Sequence, residues 1–184
     1  MKQWGFNVVR LGFMWSGLYP TAPDSINQTY VTEMMKIVNL LEEYGMYVII
    51  DLHQDMLSSQ FASYDGAPLW ILEQLAKPKH AYPWPFKNPY LGFTAYVTEA
   101  CGFAFQCLYS NKNNFEDYFQ QYWVSTAQIF NRTSSVLAYE LINEPWVNKS
   151  IIENIQNESK MCIILIKLKR PEMSIPILFY SYQA

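Results

Sequence analysis

The sequence has 184 residues, 51% hydrophobic and 16% charged, with a net charge of −3 and no basic stripe. That length suffices for one domain with a sizeable core, and the charge argues against a nucleic-acid partner. No stretch of about 18 apolar residues occurs, so nothing reads as a membrane span. The aromatic share, 17%, is high. It suits a ring-rich core, and equally a site that stacks sugars or meets lipid.

In chain order, Asn7-Val8-Val9-Arg10-Leu11-Gly12-Phe13 is a β-branched run without alternation, as in a strand buried on both faces of a parallel sheet. Arg10 within it needs a carboxylate partner, either as a structural ion pair or as a site arginine that orients a catalytic carboxylate. Residues 14–20 read as a loop. Val31, Met34, Met35, Val38 and Leu41 then mark one face of a helix over residues 30–44, capped by Asn27 or Thr29 and ended by Gly45.

A second strand, residues 46–51, ends in Asp51-Leu52-His53-Gln54-Asp55. Strand, helix and strand in this length form a βαβ unit of a parallel sheet. Alternation puts Asp51, His53 and Asp55 on one side. With only two histidines, His53 and His80, the pattern argues against a metal centre and for hydrogen bonds to substrate hydroxyls.

Residues 56–112 are long for a connection and suit a binding cleft or lid. Pro68 opens a short helix over residues 69–76. Tyr82-Pro83-Trp84-Pro85-Phe86 reads as a stiff, extended aromatic loop, and residues 94–109 as a further helix. The clearest helix covers residues 115–130. Asn113 and Glu116 resemble a capping box, and Phe115, Phe119, Tyr122, Trp123, Ala127 and Phe130 form its buried face.

Val136-Leu137-Ala138-Tyr139 is a third strand, and it leads into Leu141-Ile142-Asn143-Glu144-Pro145-Trp146. Glu144 at a strand mouth, desolvated by Tyr139 and Trp146, suits a general acid, with Asn143 fixing a substrate hydroxyl beside it. The plainer alternative is a solvated strand-end glutamate. Three strands each deliver polar groups at their C-terminal ends, which is the layout of a (β/α)-barrel site.

Residues 148–184 show no helix–strand repeat. Cys101, Cys107 and Cys162 are too few for a disulfide framework; Cys101 and Cys107 can pair, which leaves one thiol free. Sequons at Asn27, Asn131, Asn148 and Asn157 lean toward a secretory or lysosomal protein, yet Met1-Lys2-Gln3-Trp4-Gly5 is no signal peptide.

The segments WGFNVVRLGFMWSGLYP, YVIIDLHQD, DGAPLW and YELINEPW together resemble the endoglycoceramidase branch of glycoside hydrolase family 5. The resemblance implies an α/β fold: a partial (β/α)8 TIM barrel comprising roughly the second to fourth strands with their helices. Residues 1–147 are expected to be a partial catalytic domain and residues 148–184 an unmatched tail, either disordered or from a misread gene. It further implies retaining hydrolysis of the oligosaccharide–ceramide bond, with two carboxyls about 5–5.5 Å apart and no cofactor.

By motif, Glu144 resembles the acid/base and Asn143 the partner of the sugar 2-hydroxyl. Arg10 resembles the arginine that supports the nucleophile. His53, Asp51 and Asp55 resemble the groups that hold the sugar, and Trp146 joins the substrate-binding set. The nucleophile, a glutamate on the seventh strand, finds no match; Glu153, Glu158 and Glu172 lack a strand-end context, so the chain alone is expected to be inactive. Three strands also leave both sheet edges unpaired, with poor solubility as the expected result. Partners implied are a glycosphingolipid or other glycoside and a membrane surface. Alternatives are a family 5 hydrolase of another glycolipid or a β-glucan, or a non-catalytic glycolipid-binding fragment.

Overall fold

The computed structural model describes residues 1–90 and 92–146. In chain order it contains β1 (Val8–Gly12), the one-turn helix α1 (Trp15–Leu18), α2 (Gln28–Glu43), β2 (Tyr47–Asp51), α3 (Leu69–Leu72), α4 (Glu99–Tyr109), α5 (Phe115–Ile129) and β3 (Val136–Glu140). The three strands pair in parallel in the order β1-β2-β3, the arrangement expected of consecutive strands in a (β/α) barrel. The expected tail lies outside the described residues, as do Cys162, Glu153, Glu158, Glu172, Asn148 and Asn157.

Strand alternation decides which groups are buried. Val48 and Ile50 of β2 are fully buried, whereas Tyr47 and Ile49, on the opposite face, are more open. β1 is not buried on both faces as its composition suggested. Val8 and Arg10 are exposed, because they lie on the face shared with the aligned Tyr47 and Ile49, the more open face of the sheet among the described residues.

The core is built from rings. Phe13, just past β1, meets Tyr30 of α2 at 5.3 Å, Tyr122 of α5 at 6.3 Å and Phe130 at 5.2 Å. Tyr122 is fully buried, and its hydroxyl donates to the Phe13 carbonyl at 2.5 Å. This bond satisfies a carbonyl beyond the strand ladder and locks α5 to the end of β1.

Several local expectations change. Residues 14–20 hold the single turn α1, whose Trp15 packs on Phe115, Phe119 and Tyr122. Asn27, rather than Thr29, caps α2: its side chain accepts from the Tyr30 amide at 3.1 Å. The helix after Pro68 closes at Leu72, and residues 94–109 divide into a 3-10 turn (Gly92–Val97) and α4, because Thr98 acts as a new N-cap for Cys101. α5 uses no Asn113–Glu116 box; Asn113 and Asn114 are left-handed, and Asn111 Oδ1 accepts from the Glu116 and Asp117 amides instead. On α5, Thr126 is buried and Ala127 exposed, one position away from the expected face. Cys101 and Cys107 are both free thiols on α4.

The aromatic loop turns rather than extends. Trp84 N donates to Ala81 O at 2.9 Å and Phe86 N to Pro83 O at 2.9 Å, and the Tyr82–Pro83 and Trp84–Pro85 bonds are cis. Its entry is tied to α4: His80 offers both its amide (3.0 Å) and its Nδ1 (2.6 Å) to Glu99, and its ring stacks on Trp84 at 4.1 Å.

The turn at Gly66 ties the long connection to the end of β2. Gly66 has φ +79, and a Cβ there would stand 2.2 Å from the Leu57 carbonyl oxygen and 3.1 Å from Gln54 Cβ. Ala67 N donates to the same carbonyl at 2.7 Å, so the backbone has no room to retreat. Gly66→Ala is expected to lower unfolding free energy by about 3 kcal/mol, since a left-handed penalty and a backbone clash add. Gly45→Ala (φ +63, nearest atom the Lys2 Nζ at 3.4 Å) carries only the first and is expected to cost about 1 kcal/mol. Urea denaturation of the two variants side by side checks the ranking; equal losses would contradict it.

Candidate active site

The strand register places the site. Arg10 aligns with Ile49 and, through it, with Ala138; one layer higher, Gly12 aligns with Asp51 and Glu140. In parallel strands aligned positions face the same way. The higher layer therefore holds two carboxylates and, at Gly12, no side chain, and the Arg10 guanidinium reaches up from the lower layer to both carboxylates.

There it makes a two-pronged bond to Glu140, Nε to Oε2 at 2.6 Å and Nη2 to Oε1 at 2.8 Å. Nη2 also reaches Asp51 Oδ2 at 3.1 Å and donates to Asn143 Oδ1 at 2.9 Å. The planar fork of an arginine matches a carboxylate in this way and a lysine does not. The bond to Glu140 is the main reason the Arg10 pKa is raised, against the lowering effect of burial.

Asp51 is 1% exposed, and burial pushes its carboxyl upward, with Glu140 adding to the rise; the His53 bond and the Arg10 charge pull the other way without cancelling it. His53 Nδ1 lies 2.8 Å from Asp51 Oδ2. An ionised Asp51 takes a proton on Nδ1 for this bond, and His53 Nε2 faces Asp55, 4.0 Å away. Asp55 is raised by burial first, then by the charges of Asp65 and Glu144. The expectation that Asp51, His53 and Asp55 share one side is met.

Two further residues complete the floor, Asp65 from the long connection and Gln54 from the segment after β2. Asp65 Oδ1 accepts from the Asp55 amide at 2.9 Å and from Ser63 Oγ at 2.5 Å. Gln54, fully buried, lies under the Asn143-Glu144 backbone. Ligand atoms of His53, Asp55 and Asp65 lie within 4.8 Å of one another. The sequence pattern argued against a metal centre; the structure nevertheless groups one ring nitrogen and two carboxylates, a donor set able to hold a divalent cation. The same donors and acceptors also suit sugar hydroxyls.

Asn143 is buried, with its amide spoken for by Arg10 on Oδ1 and by the Gln54 carbonyl on Nδ2 (2.9 Å). One Nδ2 proton and one lone pair remain. Glu144 departs from expectation in one respect. It is exposed: the Tyr139 ring lies on Trp123 at 5.9 Å and the Trp146 ring on Tyr96 at 5.5 Å, so neither provides the expected desolvation. Its φ is +38, a left-handed value for a non-glycine residue. Trp146 is half-buried, its carbonyl accepts from Tyr109 at 3.1 Å, and its buried Nε1 has no hydrogen-bond partner among the described residues.

Six of the seven residues singled out from the sequence thus lie at or just past the C-terminal ends of β2 and β3, and Arg10 reaches up to them from the middle of β1; Arg10, Asp51, His53 and Asn143 form one bonded network. Glu140, Gln54 and Asp65 were missed. Glu140 carried the clearest signal: a lone acid inside an apolar strand, matching the lone base inside another.

The family model of cellulases (glycosyl hydrolase family 5) matches residues 1–175. The chain belongs to glycosyl hydrolase family 5. The family 5 match runs past residue 147, and the expected boundary there falls at the edge of the described residues. Among relatives, an endoglycoceramidase of Hydra vulgaris is 37% identical over 161 residues, which cover 79% of this chain and 31% of the relative. One of Cyanea nozakii is 34% identical over 161 residues, 79% of this chain and 32% of the relative. Among solved structures, endo-glycoceramidase II from Rhodococcus sp. superposes with a TM-score of 0.64 at 26% identity, covering 77% of this chain and 32% of that one. An endogalactoceramidase gives 0.65 at 28% identity, covering 79% and 33%. This family 5 chain therefore spans about a third of the length of the relatives it matches, and the three strands among its described residues are a sector of their TIM barrel.

Proposed function

We propose that this family 5 chain provides the acid/base half of a retaining glycosidase site that cleaves the bond between oligosaccharide and ceramide in glycosphingolipids. The observation that carries the reading is the bonded cluster Arg10–Glu140–Asp51–Asn143 beside Glu144, at one end of a parallel sheet. Relatives named endoglycoceramidase, and a neighbour solved as a ganglioside GM3 complex, support the substrate class.

In this reading Glu144 protonates the leaving ceramide oxygen and later takes a proton from the attacking water. The remaining Nδ2 proton of Asn143 is directed at the sugar 2-hydroxyl. His53 Nε2 and the Asp55 carboxylate accept from neighbouring hydroxyls, and the Trp146 ring, packed on Tyr96 at 5.5 Å, belongs to the substrate-binding set. None of the carboxylates of the cluster is assigned as nucleophile. Asp51 and Glu140 are engaged by Arg10, Asp65 is buried under the Asp55 amide, and Asp55 faces His53. The nucleophile is assigned to a later strand of the longer protein.

A lipid aglycone suits a chain whose long connection carries exposed rings. Tyr64, Tyr90 and Phe93 are each about four-fifths exposed, and Trp84 and Phe86 are partly so. Rings of this kind settle at a membrane–water interface. The sequons lean toward a secretory or lysosomal protein. Asn131 stands exposed in a turn where a glycan fits, whereas the side chain of Asn27 is already used as a helix cap.

Incubating the full-length gene product with a fluorescent ganglioside is expected to release intact oligosaccharide and ceramide. Cleavage confined to glucosyl sterols or β-glucans would replace the substrate assignment. The 184-residue chain alone is expected to release nothing; turnover by it, lost on Glu144→Gln, would overturn the assignment of the nucleophile to another strand.

A further inference from the structure

We infer that Gln54 is a positioning residue for the acid/base: its side-chain amide grips the backbone on both sides of the Asn143–Glu144 bond and so fixes where the Glu144 carboxyl stands. This rests on the reading of Glu144 as the acid/base. Gln54 is fully buried, and Nε2 donates to the Asn143 carbonyl at 2.5 Å and to the Glu144 carbonyl at 3.1 Å. Its Oε1 accepts from the Leu57 amide at 2.6 Å, and its own carbonyl accepts from Asn143 Nδ2 at 2.9 Å. Asn143 N completes the ring of bonds by donating to the Leu52 carbonyl at 3.0 Å.

The backbone needs such a grip. A non-glycine residue in the left-handed region costs about 1–2 kcal/mol, and a residue before proline is pushed out of helical conformations. Glu144 is both, with φ +38 and Pro145 following. Asn143 and Glu144 lie beyond β3, which ends at Glu140, so their carbonyls stand outside the strand ladder and take their donor from Gln54. Because Glu144 is exposed, side-chain packing does not hold its carboxyl; the backbone must. Gly66 leaves room for this glutamine by having no side chain, since an added Cβ there would stand 3.1 Å from Gln54 Cβ.

A residue that merely fills space would affect every substrate alike. A residue that aims the acid should matter in proportion to how much the leaving group needs a proton. The test compares, in the full-length protein, a ganglioside with a dinitrophenyl lactoside, whose leaving group departs without protonation. Gln54→Met keeps the volume without donor or acceptor; Gln54→Glu keeps the shape and the acceptor for Leu57 N, and serves alone should the first variant not fold.

Both are expected to lower kcat/KM for the ganglioside by about tenfold or more, with the dinitrophenyl substrate within about threefold of the parent. In Gln54→Glu the deficit should shrink as pH falls and the carboxyl regains a proton to donate. Equal losses on the two substrates, or no loss on either, would overturn the inference. If Glu144→Gln itself fails to separate the two substrates, the acid/base reading falls; if it separates them and the Gln54 variants do not, only the positioning role falls.

Discussion

Glu144→Gln in the full-length protein is expected to lower kcat on a ganglioside by about 10²–10⁴-fold, the contribution typical of a positioned general acid. The change is nearly isosteric and the residue is exposed, so the urea midpoint should move by no more than about 0.5 kcal/mol in free energy. The loss has two parts: the ceramide oxygen leaves without a proton, and the water that frees the covalent sugar has no base. Azide needs no base. Added azide should therefore restore turnover of a dinitrophenyl lactoside and give a glycosyl azide of retained configuration. A ganglioside rate within threefold of the parent, or no effect of azide, would remove Glu144 from its role and leave it the solvated strand-end glutamate that the sequence also allowed.

Arg10→Leu should produce the largest loss of stability at the site, about 2–3 kcal/mol at neutral pH. Removing one partner of a buried ion pair costs more than the pair contributes, because the remaining charge is stranded. Here two carboxylates lose their counter-charge, Asp51 at 1% exposure and Glu140 at 22%; the 41% exposure of Arg10 keeps the figure at the lower end. The sign of the pH dependence follows. The Asp51 carboxyl is already raised by burial, and loss of the cation raises it further. An acid with a raised folded-state pKa contributes stability below its unfolded pKa and loses it as pH rises through the folded value. The deficit of Arg10→Leu should thus be largest near pH 7 and shrink as pH falls toward 4, the ordinary carboxylate range, in urea titrations at the two pH values. Arg10→Lys is expected to recover only part of it, since an ammonium lacks the fork that spans both Glu140 oxygens. A deficit that grows on acidification would rule out stranded carboxylates as the cause.

The parts of this site visible in the sequence were those that break a local pattern. Arg10 in a β-branched run, Asp51 and His53 after one, and Asn143-Glu144-Pro145 after another stand out because polar groups have no other reason to end an apolar strand. The parallel order followed from helix-length connections between those strands. What stayed hidden depended on contacts across long sequence distances. Gln54 looks like one more polar residue after a strand; only the fold shows it under a backbone 89 residues away. Asp65 lies in a turn whose path is set by Gly66. The openness of β1 was misjudged because composition reports what a strand can tolerate, not which face of the sheet is covered. The aromatic loop was misjudged because proline fixes its own φ but does not decide whether the chain then bends.

The bare position at Gly12 matters to anyone who would move this cluster onto another parallel sheet. Copying Arg10, Asp51, Glu140 and Asn143 would carry over every charge and every donor. A host with an ordinary residue at the aligned place in the upper layer would crowd the cluster: even an added methyl would come within 2.9 Å of Met14 Cε, which would have to shift, and 3.6 Å of His53 Cβ, so a larger side chain would press on the ring that holds Asp51. The transplant therefore needs a fifth position, one whose contribution is to supply no atoms.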